Sequence, residues 1–124
     1  MSQGVVFIDG VYTTPAQARM SIFDAGFVWG DTVYDVASTW KGWFFMLDEH
    51  LERFSRSCDG FRLINPYSLE ETRRICAECV QRSQLDDAYV KIQITRGVLS
   101  PGVIGPRQSA CALTVYAIPF VWLW

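Results

Sequence analysis

Arg53 is the residue whose type and setting point to the most specific chemistry. It stands in the run DEHLERF, and a guanidinium fixed on a helix clamps a phosphate through its planar fork of donors. Spacing alone leaves a second reading open, a solvated helical arginine, as most exposed ones are. The segment from Gly26 to Val36 is the other candidate, since Phe27, Trp29 and Tyr34 are interleaved there with glycines and with Asp31 and Asp35. Such a run is either an ordinary strand edge or the wall of a pocket that presents a phenol and a carboxylate to a ligand.

Other chemistry finds little support. The single histidine, His50, lies in the same helical run as Arg53 and reads as a polar position on a helix face. Cys76 and Cys79 form one CxxC with no second pair of ligands. At i and i+3 of a helix they read as two small core side chains rather than zinc ligands. Gly26 and Gly30 are not followed by the Gly-Lys-Ser/Thr of a phosphate loop. Neither a metal nor a nucleotide is indicated.

The elements that position these residues follow from turn chemistry and periodicity. VVFIDGVYTT predicts a hairpin turning at Asp9-Gly10, and Lys41-Gly42 predicts a second one between a strand at about Val33 to Trp40 and Trp43-Phe44-Phe45-Met46. Gly26 and Gly30 break the pattern ahead of the first of those strands. From Leu47 the period becomes helical, with Leu47, Leu51, Phe54, Cys58 and Phe61 on one stripe. Asp48 suits its N-cap and Gly60 its stop. A second helix follows Pro66, with Ser68 and Glu71 in capping-box spacing and Leu69, Ile75, Cys76, Cys79 and Val80 turned inward. Ala88 to Ile94 alternates like a strand, Arg96 to Gln108 is a loop, and the apolar run from about Ala110 is a last strand. The class is α+β, a mainly antiparallel sheet with two helices.

A chain of 124 residues holds one core. A net charge of −2 excludes a general nucleic-acid or anionic-membrane binder. No apolar stretch reaches the ~20 residues of a transmembrane helix, and MSQGVVFIDG lacks the basic and apolar regions of a secretory signal. Reduced thiols and a cytoplasmic location are therefore expected. The run from Ala110 to Trp124 carries no charge and ends on Phe120, Val121, Trp122, Leu123 and Trp124. A terminus of that kind needs cover from its own sheet, a partner subunit or further chain.

FDAGFVWGDTVYDV, then FFMLDEHLERFSRSC, then DAYVKIQITRG, in that order from about Val5 to Trp122, resemble the N-terminal part of the class IV aminotransferases, the fold-type IV pyridoxal 5′-phosphate (PLP) enzymes. The group includes branched-chain amino acid, D-amino acid and (R)-selective amine transaminases and the aminodeoxychorismate lyases. YDV, LDEHLER and TRG resemble the branched-chain and (R)-amine branch most. The resemblance implies that residues 1–124 are the small N-terminal domain of such an enzyme, with PLP as cofactor. An amino acid or amine would be the donor and a 2-oxo acid the acceptor, in a homodimer whose site lies near the subunit interface. It assigns Arg53 to the PLP phosphate and Tyr34 and Val36 to the substrate side of the pocket, with Asp35 between them pointing the other way. Tyr116 falls at an aromatic pocket position, and Trp29 where the (R)-amine branch often has histidine.

Two departures accompany the match. After Thr95-Arg96-Gly97 come VLSPGVIGPRQ, without the basic pair that takes the substrate carboxylate in D-amino acid transaminases. Arg107 in that loop is either a carboxylate ligand or a solvated arginine. The lysines are Lys41 and Lys91, and neither matches the family's Schiff-base lysine, which belongs to a second, larger domain. Alone, the chain is therefore expected to be catalytically inert. A PLP-dependent lyase of the same fold and a non-catalytic interaction module are the alternatives.

Overall fold

The computed structural model describes residues 3–99 and 110–120. Six strands, β1 (Val5–Ile8), β2 (Val11–Thr13), β3 (Thr32–Trp40), β4 (Trp43–Phe44), β5 (Ala88–Thr95) and β6 (Ala112–Pro119), form one sheet in the order β2-β1-β6-β5-β3-β4. Every pairing is antiparallel. Both hairpins turn where the sequence places them. Asp9-Gly10 and Lys41-Gly42 each carry two successive positive φ angles, as a type I′ turn demands.

Three helices accompany the sheet, one more than the sequence predicts: α1 (Ala25–Trp29), α2 (Leu47–Phe61) and α3 (Leu69–Ser83). Helix α2 lies over β3, and α3 over β6 and β1. Alternation divides each strand between two faces. Val33, Asp35, Ala37 and Thr39 of β3 turn toward the helices and are buried, as are Val90, Ile92 and Ile94 of β5 and Leu113, Val115 and Ala117 of β6. Leu51, Phe54 and Cys58 of α2 and Ile75, Cys76, Cys79 and Val80 of α3 close the core from above. The CxxC is thus core. Burial pushes the thiols of Cys76 and Cys79 up to about 12 and that of Cys58 up to about 11, so none is a ready nucleophile or metal ligand.

Helix ends depart from expectation in two places. Met46, in the left-handed conformation, caps α2 without a side-chain bond, and Asp48 sits inside the first turn, where it pairs with Arg73 of α3 at 2.7 Å. Its carboxylate still favours the helix N-terminus through the dipole. Gly60 does not stop α2. Arg62 takes the left-handed C-cap and Leu63 N–H returns to the Cys58 carbonyl at 2.9 Å. The capping box of Ser68 and Glu71 forms as predicted. Leu69, predicted inward, is instead 42% exposed at the first position of α3. No described helix is long and apolar enough to cross a membrane.

Candidate active site

The short helix α1 follows from residues that read as breakers in the sequence. Asp24 caps it by accepting from Gly26 N–H at 2.8 Å, and Gly30 ends it in the left-handed conformation. Asp24 is buried, and its second oxygen accepts from the Thr95 hydroxyl at 2.9 Å. That hydroxyl in turn accepts from Gly97 N–H. Asp31, just past α1, pairs with Arg96, whose guanidinium also donates to the Phe61 carbonyl at 2.9 Å. The ends of α1, β5 and α2 are tied together in this way, and the path of β3 is set as it leaves α1.

On β3 the alternation sends Asp35 toward α2 and Tyr34 and Val36 toward the opposite face, as expected. Arg53 grips Asp35 with two parallel bonds, Nε to Oδ2 at 2.7 Å and Nη2 to Oδ1 at 2.8 Å. His50, one turn earlier on α2, reaches Asp35 Oδ1 with Nδ1 at 2.8 Å. The ionised carboxylate only accepts, so Nδ1 carries the proton. Val36 N–H donates to the same oxygen at 2.9 Å. That N–H points to a free strand edge, because β4 pairs only with Thr39 and Trp40. Burial by itself would raise the Asp35 carboxyl. The donors from Arg53, His50 and Val36 outweigh it and hold the group below the usual carboxylate range.

Sequence reasoning missed this triad. His50 is no isolated polar position. Its i, i+3 spacing to Arg53 was the available signal, placing both side chains on one helix face above an inward-pointing strand carboxylate.

The arrangement leaves Arg53 oriented but not exhausted. Its side chain is 60% exposed, and among the described residues Nη1 has no acceptor. A phosphate dianion meeting it at the β3 edge finds a guanidinium already locked in direction.

Of the other sequence candidates, Tyr34, Val36 and Tyr116 share the far face of the sheet. Val36, Lys91 and Tyr116 are neighbours in one cross-strand row. Tyr34 lies beneath the Lys91 ammonium, 4.3 Å from ring centroid to nitrogen. Arg53 reaches β3 from the helix side, so it and this row meet only around the free edge. Trp29 stands on α1, 73% exposed, and no ring contact joins it to Tyr34 or Tyr116 among the described residues. Arg107 lies outside the described residues. No group of acidic, histidine or cysteine side chains fit for a metal occurs among them.

The family model for amino-transferase class IV matches residues 32–121, which hold the Asp35–Arg53 pair and the three strands β3, β5 and β6 that carry Val36, Lys91 and Tyr116. The chain belongs to the class IV aminotransferases. It is 36% identical over 93 residues to a D-alanine aminotransferase of Staphylococcus aureus, covering 75% of this chain and 33% of that protein. It is 31% identical over 103 residues to a putative branched-chain-amino-acid aminotransferase of Methanocaldococcus jannaschii, covering 83% of this chain and 35% of that one. The class IV chain thus spans about a third of the length of these curated relatives. Among solved structures, the branched-chain amino acid aminotransferase from Escherichia coli superposes with a TM-score of 0.86 at 19% identity. That match covers 95% of this chain and 41% of the other. The α+β fold is therefore that of the class IV enzymes.

Proposed function

We propose that residues 1–124 form the small N-terminal domain of a PLP-dependent aminotransferase. In this reading the enzyme moves an amino group from an amino acid, branched-chain-like, or an amine to a 2-oxo acid. The observation that carries it is the Asp35–Arg53 pair: a guanidinium fixed bidentately by a buried carboxylate, with one nitrogen left open at a free strand edge. That donor set suits a phosphate ester better than a neutral ligand. PLP, when bound, supplies the electron sink that weakens bonds at the substrate's reacting carbon.

Each residue then has a task. Arg53 takes the phosphate, Asp35 orients Arg53, and His50 and the Val36 amide complete the shell that fixes Asp35. Tyr34, Val36 and Tyr116 form the wall on the substrate side, with Trp29 as its outer rim and Arg107 a candidate for a substrate carboxylate. Neither Lys41, in the β3–β4 turn, nor Lys91, in β5, matches the position of the family's proton-shuttling lysine. The further residues, including that lysine, would come from a larger C-terminal domain, and the active form would be a cytoplasmic homodimer. The names of the relatives support both a D-alanine and a branched-chain donor.

The reading is tested by equilibrium dialysis of the chain against pyridoxamine 5′-phosphate and pyridoxamine. The first has no aldehyde to react with surface amines. The phosphate form should bind about tenfold tighter or better; equal binding of the two would overturn the assignment. Supplied with PLP, D-alanine or L-leucine, and 2-oxoglutarate, the chain should form no glutamate above the protein-free control. Turnover would contradict the dependence on a further domain.

A further inference from the structure

The two oxygens of Asp35 are loaded unequally. Oδ2 has Arg53 Nε alone, at 2.7 Å, whereas Oδ1 accepts from Arg53 Nη2 at 2.8 Å, His50 Nδ1 at 2.8 Å and Val36 N–H at 2.9 Å. His50 and Arg53 thus share one oxygen, and their nitrogens stand 3.3 Å apart. The Asp35 side chain is 4% exposed, so this contact is shielded from water, while the imidazole, at 23%, is still reached by solvent. Among the described residues Nε2 of His50 has no hydrogen-bond partner. With Nδ1–H committed to Asp35, Nε2 is the atom that takes up a second proton.

That proton changes the charge of the whole group. With His50 neutral, carboxylate and guanidinium cancel, and a phosphate at the open Nη1 of Arg53 meets no net charge. With His50 protonated, the imidazolium pairs with Asp35 and the group carries one positive charge. Imidazole is the side chain that ordinarily changes charge between about pH 5 and 8. The charged groups that face it are Asp35 from β3 and Arg53 from its own helix. Strand β4 carries none, Glu49 and Glu52 are exposed at spacings that face elsewhere, and Asp48, two residues back, pairs with Arg73 of α3 at 2.7 Å. We propose that His50 is a positioning residue that also regulates the phosphate site: neutral, it holds Asp35 in place for Arg53, and protonated, it takes up Asp35's charge and leaves Arg53 to grip the phosphate more tightly. This rests on the phosphate reading of Arg53 and adds what regulates it. By linkage, bound phosphate must raise the pH at which His50 titrates by the same factor.

The chain's one histidine makes the test direct, because a single imidazole signal titrates. ¹H–¹⁵N spectra of the wild-type chain at high pH should show the Nδ1–H tautomer; the Nε2–H form would overturn the positioning role. Saturating pyridoxamine 5′-phosphate should raise the titration midpoint by about 0.5 pH unit or more, which is about a threefold gain in affinity, and pyridoxamine should leave it where it was. His50→Ala should weaken pyridoxamine 5′-phosphate binding about threefold or more at about pH 8, and His50→Asn, whose amide takes the place of Nδ1–H, should restore it to within about twofold. Neither variant should follow the wild type when it gains on them at about pH 5.5; the ester's own ionisation near pH 6 is common to all three and cancels. Amide spectra establish that each is folded. An unmoved midpoint with the phosphate form bound, or wild-type affinity in a folded His50→Ala at both pH values, would overturn the inference and leave the phosphate reading standing. A wild type that binds pyridoxamine 5′-phosphate no tighter than pyridoxamine would overturn that reading and the inference with it.

Discussion

Asp35 does more for the site than any other single residue, and it does so without facing solvent. Its two oxygens accept from Arg53 twice, from His50 and from the Val36 amide. Asp35→Asn should lower stability by about 1–3 kcal/mol at neutral pH, since donors to a buried carboxylate lose their partner. The pH dependence follows in sign. The folded carboxyl titrates below the ordinary value of about 3.9, so the folded chain binds fewer protons than the unfolded one. The contribution is complete above that value and is lost as pH falls through the depressed folded one. Urea denaturation should therefore show the gap between wild type and Asp35→Asn widest near neutrality and closing below about pH 4. A gap constant down to pH 2 would mean that the charge is not its source. Alternation along β3 placed Asp35 opposite Tyr34 and Val36 from sequence alone. Its partner was not legible, because Arg53 is 18 residues away on a helix whose docking angle depends on the whole core.

At the scale of elements, hairpins and caps were legible wherever local chemistry decides: Asp9-Gly10, Lys41-Gly42, and Ser68 with Glu71. Helix α1 was not, because five residues are too few for a period, and its caps, Asp24 and Gly30, look like loop residues. The start of α2 was misplaced for a related reason. Met46, two residues past β4, takes the left-handed conformation and caps the helix, which leaves Asp48 inside the first turn. The junction beyond β5 is the most constrained of these connections. Gly97 has φ +90°, and a Cβ there would fall on the Ala110 carbonyl oxygen, whereas Gly42, at φ +84°, has open space around it. Gly42→Ala should cost about 1–2 kcal/mol, the strain of the backbone conformation alone. Gly97→Ala should cost about 3 kcal/mol or more, because β6 must also shift. Thermal or urea unfolding of the two variants decides it; equal losses would show that the close approach has no weight.

Over the whole molecule, α2 and α3 cover one face of a six-stranded sheet, and the other face carries Tyr34, Tyr89, Tyr116 and Lys91. The antiparallel class was readable from strands that alternate and helices that do not separate parallel pairs. The strand order was not, since placing β6 between β1 and β5 depends on contacts far apart in sequence. The consequence for function is geometric. In the proposed reading, the phosphate is taken at the free edge of β3 and the substrate on the open face beside it, so that β3 serves both.

The measurement that bears most directly on this account is a ³¹P titration of pyridoxamine 5′-phosphate into the wild-type chain and into Arg53→Gln, with amide spectra to establish that both are folded. The Asp35-held guanidinium predicts a saturable ³¹P shift in the wild type, weakened about tenfold or more in Arg53→Gln. Wild-type affinity in a folded Arg53→Gln would contradict the account, because the phosphate would then be held by groups other than the one this site is built around.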